Sequence, residues 1–174
     1  AIPVLDRALL VSRRNYGLFD PSQQGMLRQL AVSLAKLGRA PEGERHMNYL
    51  VRIGERTYGR DDPQLAPILC LAGEWYSDIG NFEFAREQFH DALEIVTRKL
   101  GRSHIAAVQP LRGIGRTYTQ ELLYSTLGVR TVYREKVPTN ADGASNEHKA
   151  QNPRYLDSDG EKALERALRI IESQ

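Results

Sequence analysis

The feature that most constrains this chain is a set of residues that returns every 42 positions. The matching positions are Tyr16, Tyr58 and Leu100; Gly17, Gly59 and Gly101; Pro21 and Pro63; Gly38 and Gly80. One offset shared by this many positions indicates a tandem repeat, in which each unit packs mainly on its neighbours.

Inside each unit the apolar residues follow the spacing of an amphipathic helix. The first such stripe is Leu27, Leu30, Leu34 and Leu37. In the next unit it is Leu69, Ala72, Trp75, Tyr76 and Ile79. A second helix is predicted after Gly80, with its buried side formed by Phe84, Ala85, Phe89, Ala92, Leu93, Val96 and Leu100.

The predicted helices have recognisable start and stop signals. Gly38 and Gly80 fall where a first helix must end, a position that favours a residue without Cβ. Asp20-Pro21 and Asp62-Pro63 each supply a side-chain acceptor followed by proline at the first helical position. The unit is therefore predicted to be helix, tight turn, helix and a short loop.

The second unit resembles a tetratricopeptide repeat. The signature positions are Leu69, Ala72, Gly73, Tyr76, Gly80, Phe82, Ala85, Phe89 and Ala92. The 42-residue period and the linker from Tyr58 to Pro63 resemble the extended repeats of kinesin light chains and of many bacterial proteins. The resemblance implies an all-α superhelix, a solenoid of antiparallel helical hairpins, with a non-catalytic role and no cofactor.

The repeat register predicts one domain over residues 1–174. Residues 1–19 are expected to hold the second helix of a partial repeat, and residues 20–60 and 62–102 the first two repeats. The third repeat, 104–174, is interrupted: the segment beginning at Ala167 matches the one beginning at Ala92 at an offset of 75 instead of 42. The 33 extra residues predict a long inserted loop at about 123–157, either a lid on the scaffold or a packed excursion without a binding role.

Both ends of the predicted solenoid are apolar and lack a polar capping helix. A last helix from Gly160 to about Ser173 carries an apolar stripe, and Leu5 and Ala8 occupy second-helix positions at the other end. We therefore expect either a fragment of a longer chain or self-association through the terminal helices.

In tetratricopeptide proteins the first helix of each hairpin lines a concave groove, and the resemblance implies which residues line it here. The expected peptide-binding residues are Arg28, Lys36, Glu74, Ser77, Asp78, Arg112, Arg116 and Gln120. The arginines suit bidentate recognition of carboxylates, and the acidic residues between them suit a basic group. The alternative is a solvated face with weak internal salt bridges.

Composition narrows the remaining possibilities. The formal net charge of +2 gives no bulk electrostatic case for nucleic acid, and no apolar run approaches the roughly 20 residues that span a bilayer. The four histidines lack metal-ligand spacing, and no catalytic or phosphate-binding motif occurs. The lone Cys70 is interpreted as a small buried hydrophobe and leaves bacterial cytoplasm and periplasm equally open.

The sequence therefore favours a protein-interaction scaffold that binds a partner peptide or helix in its concave groove. The alternative is a structural spacer or self-association module within a larger bacterial protein. A third class, an RNA-binding helical repeat, is disfavoured by the near-zero net charge.

Overall fold

The computed structural model describes residues 2–127 and 153–173, with side chains from residue 159 onward in the second range. These residues form seven α-helices and no strand, as the repeat pattern predicts. The helices are α1 (Ile2–Tyr16), α2 (Gln24–Lys36), α3 (Ala40–Tyr58), α4 (Ala66–Asp78), α5 (Phe82–Leu100), α6 (Val108–Thr126) and α7 (Pro153–Glu172). None of these helices is long and apolar enough to cross a membrane.

Equivalent side chains start the first helix of each hairpin. Asp20 and Asp62 each accept a hydrogen bond from a backbone N–H two residues later, at 2.9 and 2.8 Å. The third unit uses His104 instead, whose Nδ1 accepts from the Ala106 N–H at 3.2 Å. Each cap precedes a short 3₁₀ turn that leads into the helix, so the predicted cap positions are confirmed.

The first helix of a hairpin ends at the predicted glycine, and the helix is longer in the unit that lacks this glycine. Gly38 and Gly80 adopt φ values of +73° and +81°, a conformation that strains residues with a side chain. In the third unit Leu122 occupies the equivalent position, and α6 runs on to Thr126. Consequently α6 has 19 residues, whereas α2 and α4 have 13 each.

The helices stack as three hairpins, α2–α3, α4–α5 and α6–α7, with α1 packed on α2. The second helix of one hairpin contacts the first helix of the next, as α3 contacts α4 and α5 contacts α6. This arrangement buries one continuous core whose largest enclosed side chains include Leu27, Met47, Ile53 and Phe89.

Glycines allow the helices to approach closely at their crossings. A Cβ added at Gly73 would lie 2.9 Å from the Phe89 ring, and one added at Gly115 would lie 2.5 Å from Cγ of Leu164. Both distances are shorter than the roughly 3.5–4.0 Å of an ordinary carbon contact, so no larger residue fits without displacing a neighbour.

Two parts of the predicted buried stripes are wrong. Phe84 and Leu100 are substantially exposed. The Phe84 ring stacks on Tyr76 at the edge of the buried face, and Leu100 is the last residue of α5. Leu37 is exposed as well, since α2 ends at Lys36 and Leu37 belongs to the turn.

The predicted insertion at about 123–157 lies only partly within the described residues. Its first residues continue α6 to Thr126, and α7 begins at Pro153, seven residues before the expected start at Gly160. The remainder of this expectation concerns residues 128–152, outside the described ranges.

Candidate functional site

Six of the eight expected groove residues lie on α4 and α6, two helices that pack side by side. They are Glu74, Ser77 and Asp78 on α4, and Arg112, Arg116 and Gln120 on α6. Two contacts join the helices across this face. The Ser77 hydroxyl donates a hydrogen bond to Oε1 of Gln120, and Arg116 lies 3.8 Å from a carboxylate oxygen of Asp78.

Between these helices lies a cleft of about 530 Å³. It is lined by Glu74, Ser77, Phe89, Gln109, Arg112, Gly113, Arg116, Thr117, Thr119 and Leu164. Gly113 and the side chain of Leu164 contribute the apolar surface, Phe89 borders the cleft with a ring that is almost completely buried, and the other residues are polar or charged. The cleft is therefore mixed in character, with apolar and charged groups side by side.

Some of the charged side chains in and beside the cleft form ion pairs with each other, and others do not. Arg116 and Asp78 form an ion pair in which both side chains are about two-thirds exposed. Within residues 2–127 and 159–173, Arg112 and the half-buried Glu74 form no ion pair. The same cleft thus holds one cation and one anion that no described side chain neutralises.

Ser77 has a smaller role than its sequence position suggests. Its side chain is almost fully buried, and its hydroxyl is engaged by Gln120. Ser77 and Gln120 therefore join α4 to α6 by one hydrogen bond, and Gln120 keeps its amide nitrogen for other contacts.

The two remaining groove candidates, Arg28 and Lys36, lie exposed on α2. Neither lines the cleft, and no ion pair links either of them to a described residue. They add positive charge to the first helix of the preceding hairpin, but the structure does not bring them together with the other six.

Several cleft residues were not among the expected positions. Gln109 lies one turn before Arg112 on α6, so helical spacing alone would have found it. Phe89 was expected only as a core residue, and it reaches the cleft because Gly113 lacks a side chain. Leu164 comes from α7, whose register is hidden by the extra residues of the third repeat.

The buried Cys70 lies near the cleft but does not open into it. Its side chain has no exposed surface, and burial together with the negative charge of Glu74 raises the pKa of the thiol to about 12. The interpretation of Cys70 as a buried hydrophobe is confirmed. Among the described residues, no group of three or more histidine, cysteine or acidic side chains is arranged to hold a metal ion.

Comparison with known proteins agrees with this architecture. The family model for tetratricopeptide repeats matches residues 22–96, which span the first hairpin and most of the second. A search of curated proteins gave no significant match.

Among solved structures, the chain is similar to BtubC (BKLC) from P. vanneervenii. The two share 16% sequence identity and superpose with a TM-score of 0.50 over 98% of this chain and 72% of the other. At this identity the similarity concerns the fold. The repeat period, the capped hairpins and the family match agree that residues 22–96 consist of tetratricopeptide repeats.

Proposed function

We propose that the cleft between α4 and α6 binds an extended segment of a partner protein. Tetratricopeptide repeats form a non-catalytic fold that mediates protein–protein interaction. The observation that carries the proposal for this chain is the presence in one cleft, beside apolar surface, of two charges that pair with no described side chain, Arg112 and Glu74.

The chemistry of the cleft indicates what such a segment should contain. An apolar side chain would cover the surface formed by Gly113 and Leu164. A carboxylate of the segment would accept two parallel hydrogen bonds from the Arg112 guanidinium, and a basic group would meet Glu74. The preferred ligand is therefore an apolar residue flanked by charges of both signs.

Arg116 and Asp78 should contribute less to binding than Arg112. Their mutual pairing already offsets both charges, and exposed pairs of this kind are worth about 0–1 kcal/mol. Arg112 has no such partner among the described side chains, so a ligand carboxylate gains its full interaction. A charge-assisted hydrogen bond contributes about 1.5–3 kcal/mol, equivalent to roughly a 10- to 150-fold change in affinity.

The test is a selection of random peptides displayed on phage against the immobilised chain. Selected peptides are then titrated by calorimetry into the wild type, the Arg112→Glu variant and the Arg52→Glu variant. Arg52 is the matched control, because it is an exposed arginine on α3 that forms no ion pair within the described residues and does not line the cleft. We expect the Arg112→Glu variant to lose at least about tenfold in affinity while the Arg52→Glu variant is unchanged.

A charge-swapped variant adds a check that unfolding cannot mimic. The Arg112→Glu/Glu74→Arg variant should prefer peptides in which the acidic and basic residues have exchanged places. Equal binding to the Arg112→Glu and Arg52→Glu variants would contradict the proposal, since the selected peptides would then occupy another surface.

A second candidate, self-association as part of a structural spacer, is favoured by exposed apolar side chains on α1. Val4, Leu10 and Val11 are each more than half exposed on this helix. Light scattering tests this candidate. A molar mass that rises with protein concentration, and falls to the monomer value in a Val11→Glu variant, supports it, whereas a constant monomer mass rejects it.

A further inference from the structure

Arg56 of α3 is an arginine whose charge no described carboxylate neutralises. Its guanidinium carbon lies 3.9 Å from the centroid of the Phe19 ring, and the residue is exposed. Stacking orients the guanidinium plane and leaves its N–H groups free to bind a ligand. Phe19 is held in place by its neighbours, because the Tyr49 hydroxyl donates a hydrogen bond to the backbone carbonyl of Leu18. Arg56 is therefore an oriented donor without an acceptor among the described residues.

The repeat register shows how the next hairpin fills the same site. Arg98 of α5 lies 42 residues after Arg56, and it pairs with two carboxylates, those of Asp61 and, at 3.6 Å, Glu94. Asp61 itself lies 42 residues after Phe19. The phenyl ring therefore occupies the position of a carboxylate that neutralises the equivalent arginine.

The positions around this arginine differ between the two hairpins in the same direction. Arg52 takes the position of Glu94, is exposed, and forms no ion pair within the described residues. The guanidinium carbon of Arg13 lies 4.6 Å from the centroid of the Tyr49 ring. At four positions an arginine or an aromatic residue is replaced by an acidic residue 42 positions later. The pairs are Arg13 and Glu55, Phe19 and Asp61, Tyr49 and Asp91, and Arg52 and Glu94.

This surface stays open when hairpins stack on both sides of it. The second hairpin is packed between α3 and α6, but the side chains of Asp61, Glu94 and Arg98 remain 66%, 70% and 49% exposed. Stacking of a further hairpin onto the first one would therefore leave Arg52 and Arg56 accessible. The carboxylates that fill this site are supplied by a ligand and not by the stacking of repeats.

We propose that Arg52 and Arg56 bind two carboxylates of an acidic segment of a partner protein. The two arginines lie four residues apart on α3, about one helical turn, and so share one face of the helix. Each guanidinium offers a fork of N–H groups that fits a carboxylate, the group that fills the equivalent site beside Arg98. Arg13, which stacks on the Tyr49 ring, adds a third positive charge at the edge of the site.

Two features favour a polypeptide over other anions. Leu18, which precedes Phe19, is 58% exposed and provides apolar contact that a free dicarboxylate cannot use. A single-stranded nucleic acid would need free aromatic faces for its bases, but guanidiniums cover the Phe19 and Tyr49 rings, and both rings pack against the core. The ligand is therefore a segment with two acidic residues and an apolar one. It is a different ligand from the segment bound between α4 and α6, and its site shares no residue with that cleft.

The experiment uses two hexapeptides as probes, Ala-Asp-Leu-Ala-Asp-Ala and its counterpart with asparagine in place of both aspartates. Each is titrated into the full chain labelled with isotopic arginine, and the side-chain Nε–H signals are followed by NMR. We expect the signals of Arg52 and Arg56 to shift with the aspartate peptide only. Arg52→Gln and Arg56→Gln should each weaken binding about threefold to fivefold. The control is Arg28→Gln, which removes an exposed arginine of α2 that stacks on no described ring and should leave binding unchanged.

Exchanging residues between the two hairpins provides a test that unfolding cannot mimic. Phe19→Asp supplies a carboxylate to Arg56 and should abolish binding at that arginine. Asp61→Phe/Glu94→Arg rebuilds the site around Arg98 and should add a second binding event, in which the Arg98 signal shifts.

Each negative outcome has a definite meaning. No shift at Arg52 and Arg56, equal shifts with both peptides, or no gain in the rebuilt variant would overturn the proposal. Equal affinity for succinate would overturn the assignment to a polypeptide. Tighter binding of inorganic phosphate or of a single-stranded oligonucleotide would overturn the assignment to carboxylates. Arginine signals that change with protein concentration alone would instead assign the surface to a second copy of the chain.

Discussion

The contact between Gly113 and Phe89 gives the sharpest prediction about stability. A Cβ added at Gly113 would lie 2.5 Å from Cζ of the Phe89 ring and closer still to two other ring carbons. An ordinary carbon contact is about 3.5–4.0 Å, so the ring would have to move by about 1 Å. It has little room to do so, because Gly73 lies against the same ring and the side chain is only 2% exposed.

The expected cost of Gly113→Ala follows from two opposing effects. Overpacking of a closed core costs about 1–3 kcal/mol, and the enclosed ring places this site at the upper end. Alanine recovers about 0.5–1 kcal/mol because it is a better helix former than glycine. The net loss is about 2 kcal/mol, which corresponds to a fall in melting temperature of about 4–8 °C for a chain of this length.

Urea unfolding followed by circular dichroism measures this loss, with Gly25→Ala as the matched control. Gly25 is also helical, but nothing lies within 4 Å of the Cβ that alanine would add. This variant should be as stable as the wild type or more so, by up to about 0.5 kcal/mol. In a Phe89→Leu background, Gly113→Ala should cost less than half as much, because the overlap with the ring is gone. The reasoning is refuted if Gly113→Ala resembles Gly25→Ala, or if Phe89→Leu leaves its cost unchanged.

Three further predictions rest on single residues. Asp62→Ala should lower the free energy of unfolding by about 1 kcal/mol and Asp62→Asn by much less, since only alanine removes the acceptor for the Gln64 N–H; urea unfolding of both variants checks this. Cys70 should react with iodoacetamide at pH 8 far more slowly in the folded chain than in urea, because its thiol pKa of about 12 leaves almost no thiolate, and comparable rates would contradict the burial. Burial lowers the pKa of His46 below its unfolded value of 6.5, so the unfolded chain binds more protons, and the stability from His46 is complete above pH 6.5 and is lost as pH falls through the folded pKa. His46→Gln should flatten stability between pH 7 and 5, and an unchanged slope would exclude this assignment.

The repeat architecture was predictable because its signals are local and recur at a fixed spacing. Asp20 and Asp62 cap their helices through acceptors two residues from the donor, and Gly38 and Gly80 stop theirs through a positive φ. Where Leu122 replaces the stop glycine, α6 continues to Thr126.

Exposure at the helix ends was less predictable. Phe84 and Leu100 keep the helical spacing of the buried stripe, but Phe84 lies at the edge of the buried face, where its ring stacks on Tyr76, and Leu100 is the last residue of α5. Periodicity fixes the face on which a residue lies, and it does not fix how far the packing partner extends.

The candidate site was predicted only in part. Repeat register placed Glu74, Asp78, Arg112 and Arg116 on neighbouring first helices, where the structure finds them. It did not indicate that Arg116 pairs with Asp78 while Arg112 has no described partner, because side-chain pairing depends on the distance between helices. The sequence also did not predict Leu164 as a cleft residue. The offset of 75 residues relates Leu164 to Phe89, and this relation becomes clear only from the contact between Leu164 and Gly115.

Site-specific photo-cross-linking in the source cell tests the central claim most directly, which is that a partner segment lies in the cleft between α4 and α6. Thr119, an exposed residue that lines the cleft, is replaced by benzoylphenylalanine in one variant, and Arg52 on α3 is replaced in the other. We predict a partner protein cross-linked from position 119 and absent from position 52, with the attached peptide containing an apolar residue beside charged ones. A partner captured equally from both positions, or only from position 52, would contradict the account.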